Sequence, residues 1–86
     1  MSKTHKLKIL PEYFRDIAKG RKTFEIRKND RDFQVGDTLI LQEWEGEYTG
    51  YEVPVEVTYI TDYEQKEGYV VMGIKLDDDY GRGIYS

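Results

Sequence analysis

Apolar and polar positions alternate with period two in several stretches and take helical spacing in one. Leu7 and Ile9 alternate against Lys6, Lys8 and Leu10, which predicts a short half-buried strand over residues 6–10. Pro11 ends that strand and suits a first helical position. Tyr13, Phe14, Ile17 and Ala18 then recur at three- and four-residue spacings, giving one apolar stripe, with Gly20 as the helix stop. So short a helix is marginal alone in water. It must lay Phe14 and Ile17 on a sheet, as a plug over one end.

Thr23 to Lys28 alternates again, and the expectation is that Phe24 and Ile26 face the core while Thr23, Glu25 and Arg27 face away. NDRDFQVGD reads as a loop pinned to the core by Phe33 and Val35, closing in a tight Gly36-Asp37 turn. TLILQEW (38–44) and Tyr51 to Ile60 are strands joined by the hairpin connector EGEYTG. In the second, Tyr51, Val53, Val55, Val57 and Tyr59 share one face, and Glu52, Pro54, Glu56 and Thr58 the other. Pro54 lacks a donor, which implies an edge position or a bulge. After TDYEQKEG, the run YVVMGI is apolar on both faces and belongs near the centre, with Gly73 marking a bend or a close approach.

About five short strands and one helix near the N-terminus describe an α+β, mainly β fold, a small antiparallel β-barrel with the helix across an opening. A ubiquitin-like roll is the alternative, although it would place its helix between hairpins. With 86 residues there is room for one modest core. Residues 1–76 are read as a single domain and residues 77–86, LDDDYGRGIYS less its first residue, as a flexible acidic tail.

Composition removes several classes of function. There is no cysteine and a single histidine, His5, so neither a thiolate metal site nor an imidazole cluster can form, and no metal or cofactor is expected. Apolar runs are short and the N-terminus lacks the apolar region of a secretory signal, so the expectation is a soluble, cytoplasmic monomer away from membranes. The net charge of −4 opposes indiscriminate nucleic-acid binding. That average hides an asymmetry. Residues 1–31 carry ten Lys or Arg against four acids, and residues 32–86 carry three against thirteen. Arg15, Lys19, Arg21, Lys22, Arg27, Lys28 and Arg31 cluster within residues 15–31, a locally positive region able to receive an anion.

Within that cluster, Gly20-x-Lys22-x-x-Glu25-x-Arg27 directly follows the predicted helix. It resembles the GxKxxExR signature of ASCH domains in the PUA-like superfamily. The order strand, helix, signature strand, V-G-D turn (Val35 to Asp37) and hairpin extends the resemblance over roughly residues 6–76. KILPEYF and FEIRKNDR are similar to a short, often prophage-encoded branch that brings no assigned activity. The resemblance implies a PUA-like barrel with a cleft beside the first helix that binds RNA or modified nucleosides, with Lys22, Glu25 and Arg27 in the cleft.

The residue chemistry is compatible with that role. Glu25 and Arg27 share a strand face with Cα atoms roughly 6.5–7 Å apart. A carboxylate beside a guanidinium offers an acceptor for an exocyclic amino group and a donor fork for a carbonyl or phosphate. Lys22 has the opposite parity and joins them only where residues 20–22 form a turn. Arg21, Lys28, Asn29 and Arg31 are the candidate flanking contacts to phosphate or ligand. Spacing alone also fits a plainer account: a solvated Glu25–Arg27 pair worth about 0–1 kcal/mol, and Lys19, Arg21 and Lys22 as cations at a helix C-terminus. Trp44 and Tyr51 are expected in the core, which leaves Tyr48 and Tyr63 as candidate stacking residues.

Two other functions compete. Some ASCH proteins are amidohydrolases that deacetylate N4-acetylcytidine with a Lys, a Thr nucleophile in the signature strand and a later Glu. Lys22 matches the first, but Glu25 stands where that Thr would be, Thr23 is misplaced in the motif, and Glu64 or Glu67 matches the last only loosely. The second reading is thus a nucleoside amidohydrolase with Lys22 as an activated amine or general base and Glu25 assisting. The third reading is a non-enzymatic protein partner docking on the acidic residues Glu43, Glu45, Glu47, Glu52 and Glu56.

Overall fold

β1 (Thr4–Ile9) buries His5, Leu7 and Ile9 and leaves the alternate lysines outside, as its period requires. The computed structural model describes residues 2–77. α1 (Pro11–Ala18) has proline in its first turn, buries Ile17, and packs Phe14 against the core. It ends in a Schellman turn: the Gly20 N–H donates to Ile17 O, the Arg21 N–H to Asp16 O, and Gly20 takes φ +76°. That left-handed residue reverses the chain so that residues 21–23 lead straight into β2 (Phe24–Lys28).

β3 (Thr38–Trp44), β4 (Tyr48–Thr61) and β5 (Tyr69–Leu76) complete one sheet of order β1-β3-β4-β5-β2. Its five strands curl into a half-barrel. β1 pairs parallel with β3, whereas the other three pairings are antiparallel. The expectation of an antiparallel barrel therefore fails at β1, because the chain between β1 and β3 crosses over through α1 and β2 instead of turning back as a hairpin. The helix follows the first strand and does not sit between hairpins.

Leu7, Ile9, Ile17, Phe33, Leu39, Leu41, Val53, Val55, Val57, Val70, Met72 and Ile74 form the core cluster. Pro54 lies in the sheet's middle strand, not at an edge. Its carbonyl accepts the Asp77 N–H just beyond the last β4–β5 pair, Val55 with Leu76. Its nitrogen faces the same side, so the bond that would answer the Asp77 N–H is missing, at the end of the ladder where no further pair depends on it.

Several aromatic and apolar expectations are corrected. Tyr51 is exposed and Trp44 only half-buried, because the end of the β3–β4 hairpin runs past the core, with a bulge between Gln42 and Trp44. Tyr59 is exposed because a second bulge, between Val57 and Tyr59, turns Thr58 and Tyr59 both outward. Of the two loop anchors, Phe33 is buried but Val35 is not. Gly73 does mark a close approach: a Cβ there would lie 3.1 Å from Thr58 Oγ1 and 3.3 Å from Tyr59 Cβ, at that bulge. In the expected tail, Asp77 extends the sheet through its bond to Pro54, and residues 78–86 lie outside the described residues.

Candidate functional site

The sheet does not close. β1 and β2 are its two edges, with no strand pairing between them among the described residues, and side chains span the gap instead. Arg27 Nη2 donates to Lys8 O at 2.7 Å, and Arg31 Nη1 donates to Lys6 O at 2.9 Å. Beside these bridges, toward α1, the seam opens into a cavity of about 510 Å³. Lys8, Ile9 and Leu10 line it from the β1 side, Tyr13 from α1, and Lys22 with Phe24 to Arg27 from the β2 side.

The faces of β2 are the reverse of the expected ones. Glu25 is 5% exposed, while Phe24 and Ile26 are 44% and 50% exposed. Period two says which residues share a face but not which face turns inward. Here the inward face carries the charges. A buried carboxylate is tolerated when it is paired, and both Glu25 oxygens are. Lys22 Nζ lies 2.9 Å from Oε1, and Arg27 Nε lies 2.8 Å and Nη2 2.7 Å from Oε2. The plain surface ion pair is thereby replaced by a largely buried three-residue cluster.

Lys22 joins despite its parity because it precedes the regular strand, at the end of the Schellman turn, where its own N–H bonds to Asp16 O. Its ammonium also sits 5.1 Å from the Tyr13 ring centre and 4.9 Å from that of Phe24, a cation–π position on both rings. The cluster carries one net positive charge, lies at the cavity wall, and is flanked by the exposed apolar side chains of Leu10, Tyr13, Phe24 and Ile26.

The remaining predicted residues divide. Arg21 borders a second, shallower concavity of about 360 Å³ with Tyr13, Asp16, Lys22 and Phe24. Lys28 is exposed at the end of β2. Asn29 holds its own loop in place, with its Oδ1 accepting the Phe33 N–H and its N–H donating to Gly68 O. Arg31 is engaged across the seam. Thr23, Glu64 and Glu67 are exposed and do not line the cavity. Tyr63 is 75% exposed, and Tyr48, at 54%, stands 5.7 Å below the Lys8 ammonium.

Sequence reasoning missed Lys8, which borders the cavity with its ammonium 4.8 Å from the Trp44 ring centre. It also missed a buried polar pair. Asp37 accepts the Lys3 N–H at Oδ1, and His5 Nε2 and the Gln34 N–H at Oδ2. Burial pushes the Asp37 carboxyl pKa up, but the Lys3 N–H, the His5 hydrogen bond, the Gln34 N–H and the His5 charge together bring it below its ordinary value. His5 on the buried parity of β1 was the signal that could have found it. Among the described residues, no group of three or more His, Cys, Asp or Glu side chains is placed to hold a metal ion.

Residues 4–74 match the model of a family described as Domain of unknown function (DUF3850). A relative from Escherichia phage P2, the uncharacterized 12.9 kDa protein in the GpA 3' region, is 42% identical over 74 residues, covering 84% of this chain and 68% of the phage protein. Among solved structures, hypothetical protein PH0355 superposes with a TM-score of 0.63 over 86% of this chain and 99% of its own, at 18% identity. At that identity the likeness is one of fold.

Proposed function

The chain belongs to the DUF3850 family, and from that premise we propose that it is an ASCH-like, PUA-like module that binds a nucleotide or modified nucleoside, alone or within RNA, in the cavity between β1 and β2. The observation that carries the reading is the convergence of Lys22, Glu25 and Arg27 at the wall of a 510 Å³ cavity flanked by Tyr13 and Phe24. Rings and aliphatic side chains suit the faces of a base, and a few fixed polar groups suit its edge.

The cluster keeps capacity after its internal bonds. Glu25 has lone pairs left for an exocyclic amino group, Lys22 has two N–H donors and Arg27 an Nη1 group. The tie between the three residues makes Glu25 chiefly the group that orients both cations. Direct binding of the four nucleoside monophosphates and a panel of modified nucleosides tests the reading. It expects one of them to bind, with affinity falling as salt rises and lost by tenfold or more in Lys22→Ala and Arg27→Ala. Unchanged binding in both variants refutes it.

The amidohydrolase alternative finds less support. Thr23 lies outside the cavity lining and both Glu25 oxygens are held in ion pairs, so neither is presented as a nucleophile. The acidic face proposed for a protein partner is partly engaged as well: Glu56 lies 3.9 Å from Lys75, and Glu43 accepts the Thr49 hydroxyl.

A further inference from the structure

The outer face of the sheet beside the cavity exposes the apolar side chains of Phe24, Ile26 and Tyr59. Register sets Phe24 (β2) opposite Gly73 (β5) and Gly73 opposite Tyr59 (β4), so two exposed rings flank a residue with no side chain. In the next row Ile26 faces Val71 and Val71 faces Thr61; beyond it Lys28 faces Tyr69. These three rows contain no acid. Two strand spacings separate Phe24 from Tyr59, roughly 9.5 Å.

Cations border this apolar strip. The Lys22 ammonium lies 4.9 Å from the Phe24 ring, and Lys66 lies 5.4 Å from the Tyr69 ring. Lys28 stands in the last row, and Lys75 in the row past Gly73, shared there with Glu56. Asp62, Glu64 and Glu67 are confined to the connector that follows β4. The strip is also continuous with the cavity, because Phe24 and Ile26 line it.

We infer that this face is a second, stacking subsite for single-stranded nucleic acid leaving the cavity, with one base on Phe24 and another on Tyr59 across the flat floor of Gly73. The inference rests on the nucleotide reading of the cavity and names its ligand class as an oligonucleotide. Exposed rings on a sheet with basic side chains at the margins supply sequence-tolerant stacking and phosphate attraction together. Gly73 adds no side chain of its own between the two rings, at the bulge where Thr58 Oγ1 and Tyr59 Cβ already approach it.

The four nucleoside monophosphates and the four homopolymeric ribo-octanucleotides are titrated against wild type, Tyr59→Ala and Tyr59→Phe, with urea unfolding as a check on the fold. The expected result is an octanucleotide that binds wild type at least tenfold more tightly than its own monophosphate. Tyr59→Ala should remove about tenfold of that, Tyr59→Phe should keep it, and monophosphate binding should stay the same in all three. Equal affinity for octanucleotide and monophosphate, or an octanucleotide indifferent to Tyr59→Ala, overturns this inference and leaves the cavity reading standing. Failure of every monophosphate and octanucleotide to bind overturns this inference, and the cavity reading falls with it only when the modified nucleosides also fail to bind. A solution dimer that Tyr59→Ala dissolves assigns the face to self-association and overturns the inference as well.

Discussion

Arg27 reaches from one edge of the half-barrel to the other, giving Nη2 to the main-chain oxygen of Lys8 at 2.7 Å while the same guanidinium holds Glu25. One planar fork thus joins the sheet's two edges and neutralises its buried carboxylate. A lysine at that position would keep the charge but could not make both bonds in fixed geometry. Arg27→Lys should therefore cost about 1–2 kcal/mol of stability and Arg27→Ala about 2–3 kcal/mol, somewhat below a fully buried pair because the arginine is partly exposed. Urea unfolding of the three proteins checks the order, and equal midpoints would show that the seam needs no bridge.

Glu25 is the common acceptor of Lys22 and Arg27, so removing its charge should be felt by both. Glu25→Gln should lower stability by about 1–3 kcal/mol. In a Lys22→Ala and Glu25→Gln double-mutant cycle, the two effects should fall short of additivity by roughly 0.5–3 kcal/mol. Strict additivity would mean that the 2.9 Å contact between them carries no energy.

The elements were legible in the sequence because local rules govern them: the alternation of β1, the stripe of α1, and the stop at Gly20. That Glu25 and Arg27 share a face was legible in their spacing, whereas Lys22, of opposite parity, meets them only through the turn before β2. Orientation was not. Phe24 and Ile26 read as core because apolar side chains ordinarily turn inward, yet β2 is an edge strand whose inward face meets charged partners instead of the core cluster. The parallel β1–β3 pair and the outward turn of Tyr59 were hidden for a related reason. Each depends on long-range register, and the period of one strand does not encode it.

Gly73 offers a test of that register. Its backbone is not left-handed, so alanine there meets only the contacts a Cβ would make with Thr58 Oγ1 and Tyr59 Cβ. The hydroxyl can rotate away, whereas Tyr59 Cβ is fixed to the bulged backbone. Gly73→Ala should destabilise by about 1 kcal/mol, and adding Thr58→Ala should recover part of the loss. A Gly73→Ala protein as stable as wild type would place the bulge elsewhere.

Asp37 gives the fold a pH dependence whose sign follows from its partners. The carboxylate is held below its ordinary pKa, so the folded state binds its proton less readily than the unfolded chain does. Its contribution is complete above the unfolded value, about 4, and is lost as pH falls through that value and on through the lower folded one. His5 Nε2, facing a carboxylate acceptor at 2.8 Å, carries the hydrogen of that bond. Asp37→Asn keeps the shape but turns two donors toward groups that already donate. It should cost about 1–3 kcal/mol at pH 7, and the gap from wild type should narrow between pH 5 and pH 3. Urea midpoints of both proteins across that range decide it, since parallel curves would show that the Asp37 proton is not linked to folding.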